Sequence, residues 1–142
     1  MRGGNLEPLV EHMSSQDIDQ LLSLKTWAVV GLSNNAERAA YKVAKVLISK
    51  GHTVIPVHPK AETVHGQKGF SSLSEISTSV DVVDVFVNSQ LAGEVVNQAI
   101  AIGAKGVWLQ LDVIDDSALF RAKSSGLLTV MNRCPAIEYA KK

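Results

Sequence analysis

The sequence predicts an α/β protein in which helices cover both faces of a parallel sheet. Three observations carry this expectation. Short apolar runs alternate with amphipathic segments along most of the chain. The runs are apolar almost throughout rather than at every second residue, as in strands covered on both faces. Each of three amphipathic segments stops at a glycine, and an apolar run soon follows it.

Taken in order, residues 1–13 show no periodic pattern and include Gly3, Gly4 and Pro8, which reads as a loose N-terminal arm. Ser14 or Ser15 suits the cap of a short helix with Ile18, Leu21 and Leu22 on one face. The apolar run "WAVVG" then predicts a first strand over about 27–31. In "YKVAKVLISKG", Lys42, Lys45 and Ser49 form one stripe, and Ala44, Leu47 and Ile48 another, up to Gly51. "LAGEVVNQAIAIG" pairs Leu91/Ala92, Val95/Val96 and Ala99/Ile100 at helical spacing and ends at Gly103. "DDSALFRAKSSG" opens on Asp115 and Asp116, which suit a helix N-terminus, and ends at Gly126.

Four further strands fall at about 53–57, 82–86, 106–110 and 128–131. "GQKGFSSLSEI" predicts an irregular turn and a short helix between the second and third. Residues 14–142 thus read as a single doubly wound, Rossmann-like domain with a five-stranded parallel sheet of order 3-2-1-4-5.

The bulk numbers agree with one ordinary domain. The chain has 142 residues, 46% hydrophobic and 20% charged, which suits a packed core without disulfides. Fourteen basic residues balance fourteen acidic ones, so no net field draws the protein to nucleic acid or to an anionic membrane. No stretch reaches the ~18–20 apolar residues of a membrane span, and the first twenty residues carry no run of signal-peptide length. A single cysteine, Cys134, cannot form an intrachain disulfide. A cytoplasmic protein is the expectation.

In doubly wound sheets, ligands bind beyond the carboxyl ends of the strands. After the first strand come Gly31, Leu32, Ser33, Asn34 and Asn35, with Arg38, Tyr41 and Lys42 close behind. Gly31 can admit a phosphate to the backbone, and the next helix would aim free N–H groups at it. Only one glycine stands where a dinucleotide fingerprint has three. The second strand ends in Val57, His58, Pro59 and Lys60, with no carboxylate where an NAD site holds its ribose. Lys60 suits an additional ribose phosphate, so NADP or coenzyme A fits better than NAD.

The remaining chemistry is sparse. His12, His52, His58 and His65 show no metal-ligand spacing with Cys134, and no nucleophile elbow is present. Cys134 is expected to be a packed thiol. Asp81 and Asp84 are read as solvated edge or capping residues.

Five segments in order, "VVGLSNNAERAAYKVAKVLISKGHTVIPVHPK", "GQKGFSSLSEI", "VDVVDVF", "AIAIGAKGVWLQL" and "VMNRCPAIE", resemble the small stand-alone CoA-binding protein family. That group is related to the N-terminal domain of the succinyl-CoA synthetase alpha subunit. The resemblance spans about residues 15–140. It implies a Rossmann-like domain that binds coenzyme A, or an acyl-CoA, without catalysing a reaction, since the synthetase chemistry itself requires a phosphohistidine domain. It maps the phosphate loop to Gly31, Leu32 and Ser33, with Arg38, Ala40 and Tyr41 at its far side. The adenosine contacts map to Val57, His58, Pro59 and Lys60, and Phe86 and Val87 line the same cleft. The chain departs from the family pattern at Ala39-Ala40 (usually Pro-Ser), Val87-Asn88 (often arginine), Asp112 (commonly glycine) and Asn132 (usually aspartate). Two alternatives accompany the CoA reading. One is an interaction subunit whose nucleotide pocket is vestigial, with a protein partner. The other is an enzyme, a small NADP-dependent oxidoreductase or an acyl transferase using Cys134 or Asp112.

Overall fold

A computed structural model describes residues 17–142; the expected arm over residues 1–13 and the Ser14/Ser15 cap lie outside it. The elements are α1 (residues 17–22), β1 (Thr26–Val30), α2 (Ala39–Ser49), β2 (Thr53–Val57), a 3-10 turn (Leu73–Glu75), β3 (Val82–Val85), α3 (Ser89–Ala101), β4 (Gly106–Leu109), α4 (Asp116–Ser124), β5 (Leu128–Val130) and α5 (Pro135–Ala140). The expected strands and helices are all present, and "GQKGFSSLSEI" forms a turn followed by the 3-10 segment. Asp115 caps α4 by accepting from the Ala118 N–H at 3.0 Å, and Asn88 caps α3 through Leu91 N–H at 3.1 Å.

All five strands are parallel, in the order β2-β1-β3-β4-β5. The α/β, doubly wound class therefore stands, while the expected order 3-2-1-4-5 is corrected to 2-1-3-4-5. The physical reason lies in what each strand can donate and bury. β2 contains Pro56, which has no N–H for a ladder, and its first residue is exposed. That is an edge strand. Its outer side pairs briefly with Phe70, whose N–H donates to Pro56 O at 2.9 Å and whose carbonyl accepts from His58 N–H at 3.0 Å. β3 is buried at every position and takes a central place between β1 and β4. The winding direction therefore reverses between β1 and β3.

Two apolar layers flank the sheet. One packs α1, α2 and α5 against Trp27, Val29, Val82, Trp108 and Val130. The other packs α3 and α4 against Ala28, Val83, Val85, Val107 and Leu109. The indoles of Trp27 and Trp108 are fully buried with centroids 5.6 Å apart. Each such side chain contributes about 4–6 kcal/mol of apolar burial before the entropy cost of ordering. Both satisfy their N–H: Trp27 donates to Leu24 O at 3.0 Å, and Trp108 donates to Arg133 O at 2.9 Å. The second bond fixes the chain just before Cys134.

Asp84 is not solvated as expected. It lies within β3, fully buried, between Val29 of β1 and Trp108 of β4 in register. Neither carboxyl oxygen has a hydrogen-bond partner among the described residues. Burial pushes its carboxyl well above the usual aspartate range. The run "VDVVDVF" is apolar on both faces, so no alternation marked which side Asp84 would take. Asp81, at the entrance to the same strand, meets expectation: it accepts from Thr26 N–H at 3.0 Å and pairs with Lys105 at 3.3 Å.

Candidate functional site

The reversal between β1 and β3 opens a cleft at the carboxyl end of the sheet. Gly31 is its pivot. Its φ is +104°, and a Cβ placed there would lie 3.1 Å from the Phe86 Cβ. The glycine is thus required by its left-handed backbone and by close packing of the β1 end on the β3 end. Its own N–H is committed to Val57 O at 2.8 Å, so Gly31 offers space to a ligand rather than a donor.

The loop beyond Gly31 is tied down from the side. Asn34 N–H donates to Glu62 Oε1 at 3.0 Å, and the Asn34 side-chain amide donates to Thr63 O at 2.7 Å. Asn35 Oδ1 accepts from Glu37 N–H at 3.1 Å. The chain then enters α2 at Arg38, an N-cap residue that makes no side-chain capping bond, and the first turn contains no acidic residue. First-turn N–H groups have no intrahelical acceptor. Those of α2 therefore receive neither the capping oxygen that serves α3 nor the one that serves α4.

The main cleft measures about 800 Å³. Among the residues singled out from the sequence, it brings together Gly31, Arg38, Val57, His58, Pro59, Phe86 and Val87. A second cavity of about 400 Å³ adjoins it on the α2 side and includes Gly31, Arg38, Ala40 and Phe86. Four singled-out residues line neither. Leu32 is fully buried in the core beneath the loop. Ser33 sits in the loop, with Oγ 3.4 Å from Asn35 N–H. Tyr41 is half-buried against the core on the α2 side and packs on the His65 ring at 4.2 Å between centroids. Lys60 is exposed on the turn after Pro59, its N–H donating to His58 Nδ1 at 3.1 Å.

Several wall residues were not foreseen. Leu91, Glu94, Val95 and Gln98 line the main cleft from one face of α3, and their helical spacing was the available signal. Ser71 and Ser72 come from the segment between β2 and β3. Beyond β4, Leu111 and Val113 line both cavities; Asp112, which lines both, and Gln110 and Cys134, which line the smaller one, stand at strand ends where the rule for doubly wound sheets already places ligands. With the order 3-2-1-4-5, β2 would separate β1 from β3, so nothing would bring the ends of β3 and β1 side by side. The true order sets β3 beside β1 and β4 next to it.

Asp112 and Asn132 shape this far wall. Both have left-handed backbone, with φ of +69° and +59°. Ser89 Oγ donates to Asp112 O at 3.3 Å and accepts from Ile114 N–H at 2.9 Å, tying the β4–α4 loop to the start of α3. Among the described residues, no group of three or more His, Cys, Asp or Glu could hold a metal ion. Among the described residues, no helix is long and apolar enough to cross a membrane.

A parallel sheet with an open cleft at its topological reversal and an uncapped helix start behind the first strand defines a doubly wound, Rossmann-like α/β domain. Residues 25–140 match the CoA-binding domain family, and the chain belongs to it. It is 30% identical over 132 residues to the uncharacterised protein YneT of Bacillus subtilis, covering 92% of this chain and 98% of that one. A hypothetical protein from Pyrococcus horikoshii OT3 has the same fold, with a TM-score of 0.84, 41% identity and 89% of each chain covered. The alpha subunit of an ADP-forming acetate–CoA ligase from Pyrococcus furiosus is 31% identical over 91 residues. That match covers 63% of this chain and only 20% of the ligase subunit.

Proposed function

We propose that the protein binds coenzyme A, or an acyl-CoA, in the main cleft and does not itself catalyse a reaction. The observation that carries this reading is the joining of Gly31, Arg38, His58, Pro59 and Phe86 in one wall of a cleft of about 800 Å³, in a chain of the CoA-binding domain family. The volume suits a ligand of this size.

In this reading the pyrophosphate lies over Gly31 against the first turn of α2, where N–H groups lack capping oxygens and Arg38 supplies charge. Loop residues Leu32 and Ser33 contribute backbone there, and Ala40 and Tyr41 hold the turn. The adenosine rests on Val57, His58 and Pro59. Lys60, exposed immediately beyond, reaches the ribose phosphate. Phe86 and Val87 border the arm that leaves toward β4. Glu94 and Asp112 also face the cleft, so the anionic end is directed away from that side. The reading carries with it a small-molecule partner rather than nucleic acid or a membrane, and a cytoplasmic setting.

Isothermal titration with CoA, acetyl-CoA, NAD and NADP tests it. CoA and acetyl-CoA are expected to bind with comparable affinity, and NAD weakly. Arg38→Ala should weaken CoA binding about tenfold or more, as for a charge-assisted contact. Preferential binding of NADP would move the protein to the oxidoreductase class.

A further inference from the structure

We propose that Cys134 is a covalent capture site for the thiol end of coenzyme A, forming a mixed disulfide with a ligand held in the main cleft. The inference rests on the CoA-binding reading and adds a modification site to it.

The two cavities are continuous in their walls. Gly31, Arg38, Phe86, Leu111, Asp112 and Val113 border both. His58 and Pro59 lie only in the larger one, and Cys134 only in the smaller. A ligand whose nucleotide rests by His58 and whose arm passes Gly31 and Phe86 therefore delivers the end of that arm to Cys134. No other cysteine is present in the chain.

Two features prepare the smaller cavity for such an arm. Gln110 lines it, is only 5% exposed, and its Oε1 accepts no hydrogen bond among the described residues. A buried amide oxygen left without a donor is costly, so it calls for one from a ligand. The pantetheine arm of CoA carries amide N–H groups that would serve. Cys134 is 8% exposed and belongs to the core cluster of α1, α2 and α5, yet it also forms part of the wall of the smaller cavity. It is the N-cap residue of α5 but makes no capping hydrogen bond, so its sulfur is not engaged there. The Trp108 N–H holds the Arg133 carbonyl at 2.9 Å and Pro135 begins α5, which fixes the backbone on either side.

The reaction is thiol–disulfide exchange with CoA disulfide as the oxidant. The Cys134 thiol gives its proton to solvent, and the sulfur attacks one sulfur of the CoA disulfide. The S–S bond of the reagent breaks as the Cys134–S–S–CoA bond forms. The second CoA leaves as thiolate and takes up a proton, so one thiol is consumed and one released.

The test uses the intact protein, incubated with CoA disulfide or with glutathione disulfide and followed by whole-protein mass spectrometry. One CoA adduct per chain is expected, formed at least about tenfold faster than the glutathione adduct because binding raises the local concentration. Acetyl-CoA, which has no free thiol, should suppress the CoA adduct without slowing glutathionylation to the same degree. Gln110→Leu should slow the CoA adduct several-fold and leave the glutathione rate unchanged. Equal rates with the two disulfides, or no CoA adduct, overturn the inference. Calorimetric titration of the same protein with reduced CoA separates the two claims. If CoA binds but no selective adduct forms, the capture site alone falls. If CoA does not bind, both fall.

Discussion

The Asp112 N–H donates to Asn132 Oδ1 at 2.7 Å, joining the loop after β4 to the loop after β5. Both residues are in left-handed backbone, and asparagine tolerates that conformation because its short side chain bonds locally. Asn132→Ala loses the acceptor and places a Cβ residue without that compensation in the same turn. A cost of about 1–2 kcal/mol is expected, read as a lower urea midpoint at unchanged slope. Asp112→Gly should do the opposite, by a smaller amount, since glycine relieves the left-handed strain. An unaffected midpoint in Asn132→Ala would mean that the bond does not hold the loop.

Local elements of this fold are legible in the sequence, and their arrangement in the sheet is not. Asp115 announced a helix start by its residue type and its place before "SALF", and it caps α4 through Ala118. The strands were legible because each is short, apolar and bounded by polar residues. Strand order was not, because pairing depends on how crossovers pass over the sheet, and local periodicity is blind to that. Pro56 was the one local clue, since a missing N–H suits an edge. The near half of the cleft, Gly31 to Pro59, lies at the ends of consecutive strands and could be read from the chain. The far half, Gln110 to Val113 and Cys134, also stands at strand ends, but the order 2-1-3-4-5 places it across β3 from β1 rather than directly beside β1.

Asp84 offers a stability prediction with a definite sign. Burial raises its carboxyl well above the ordinary value of 3.8. A group with a raised folded value is least costly below the unfolded value, and stability falls as pH rises from there through the folded value. Wild-type protein should therefore lose stability relative to Asp84→Val as pH rises above about 4. At neutral pH, Asp84→Val is expected to be more stable by about 1–3 kcal/mol, since valine suits the strand and leaves no unpaired oxygen. Urea unfolding of both proteins across pH checks this. A stability difference that does not change with pH would show that Asp84 ionises alike in the folded and unfolded states, its charge served by a partner.

His52 moves in the opposite sense. Desolvation by burial lowers its pKa below 6.5, while backbone hydrogen bonds with Leu24 and Lys25 oppose the shift. Its Nε2 lies 2.5 Å from the Tyr139 hydroxyl, tying the start of β2 to α5. A depressed folded value means stability is present above about pH 6.5 and is lost as pH falls toward the folded value. His52→Gln should flatten that acid limb. A midpoint that falls equally in both proteins between pH 7 and 5 would assign the loss to other groups.

Gly31 separates backbone need from ligand need. With φ at +104° and Phe86 at 3.1 Å from an added Cβ, Gly31→Ala should cost about 1–3 kcal/mol without any ligand present. The loss is expected in thermal unfolding of the free protein. A variant as stable as wild type but unable to bind CoA would assign the glycine to the ligand instead.

Lys60 gives the sharpest test of which nucleotide the cleft accepts. It is exposed on the turn beyond Pro59 and lines neither cavity, so any contact it makes is at the rim. An ammonium at that point favours a ligand with a ribose phosphate, and the chain has no carboxylate at the end of β2 to repel one. CoA is therefore expected to bind more tightly than dephospho-CoA by roughly tenfold, near the lower end for a charge-assisted contact because the lysine is solvated. Lys60→Ala should remove most of the difference while leaving dephospho-CoA binding nearly unchanged. The preference should also shrink as salt is raised, since a rim charge is screened. Equal binding of CoA and dephospho-CoA by the wild-type protein would make Lys60 a surface lysine with no part in recognising the ligand.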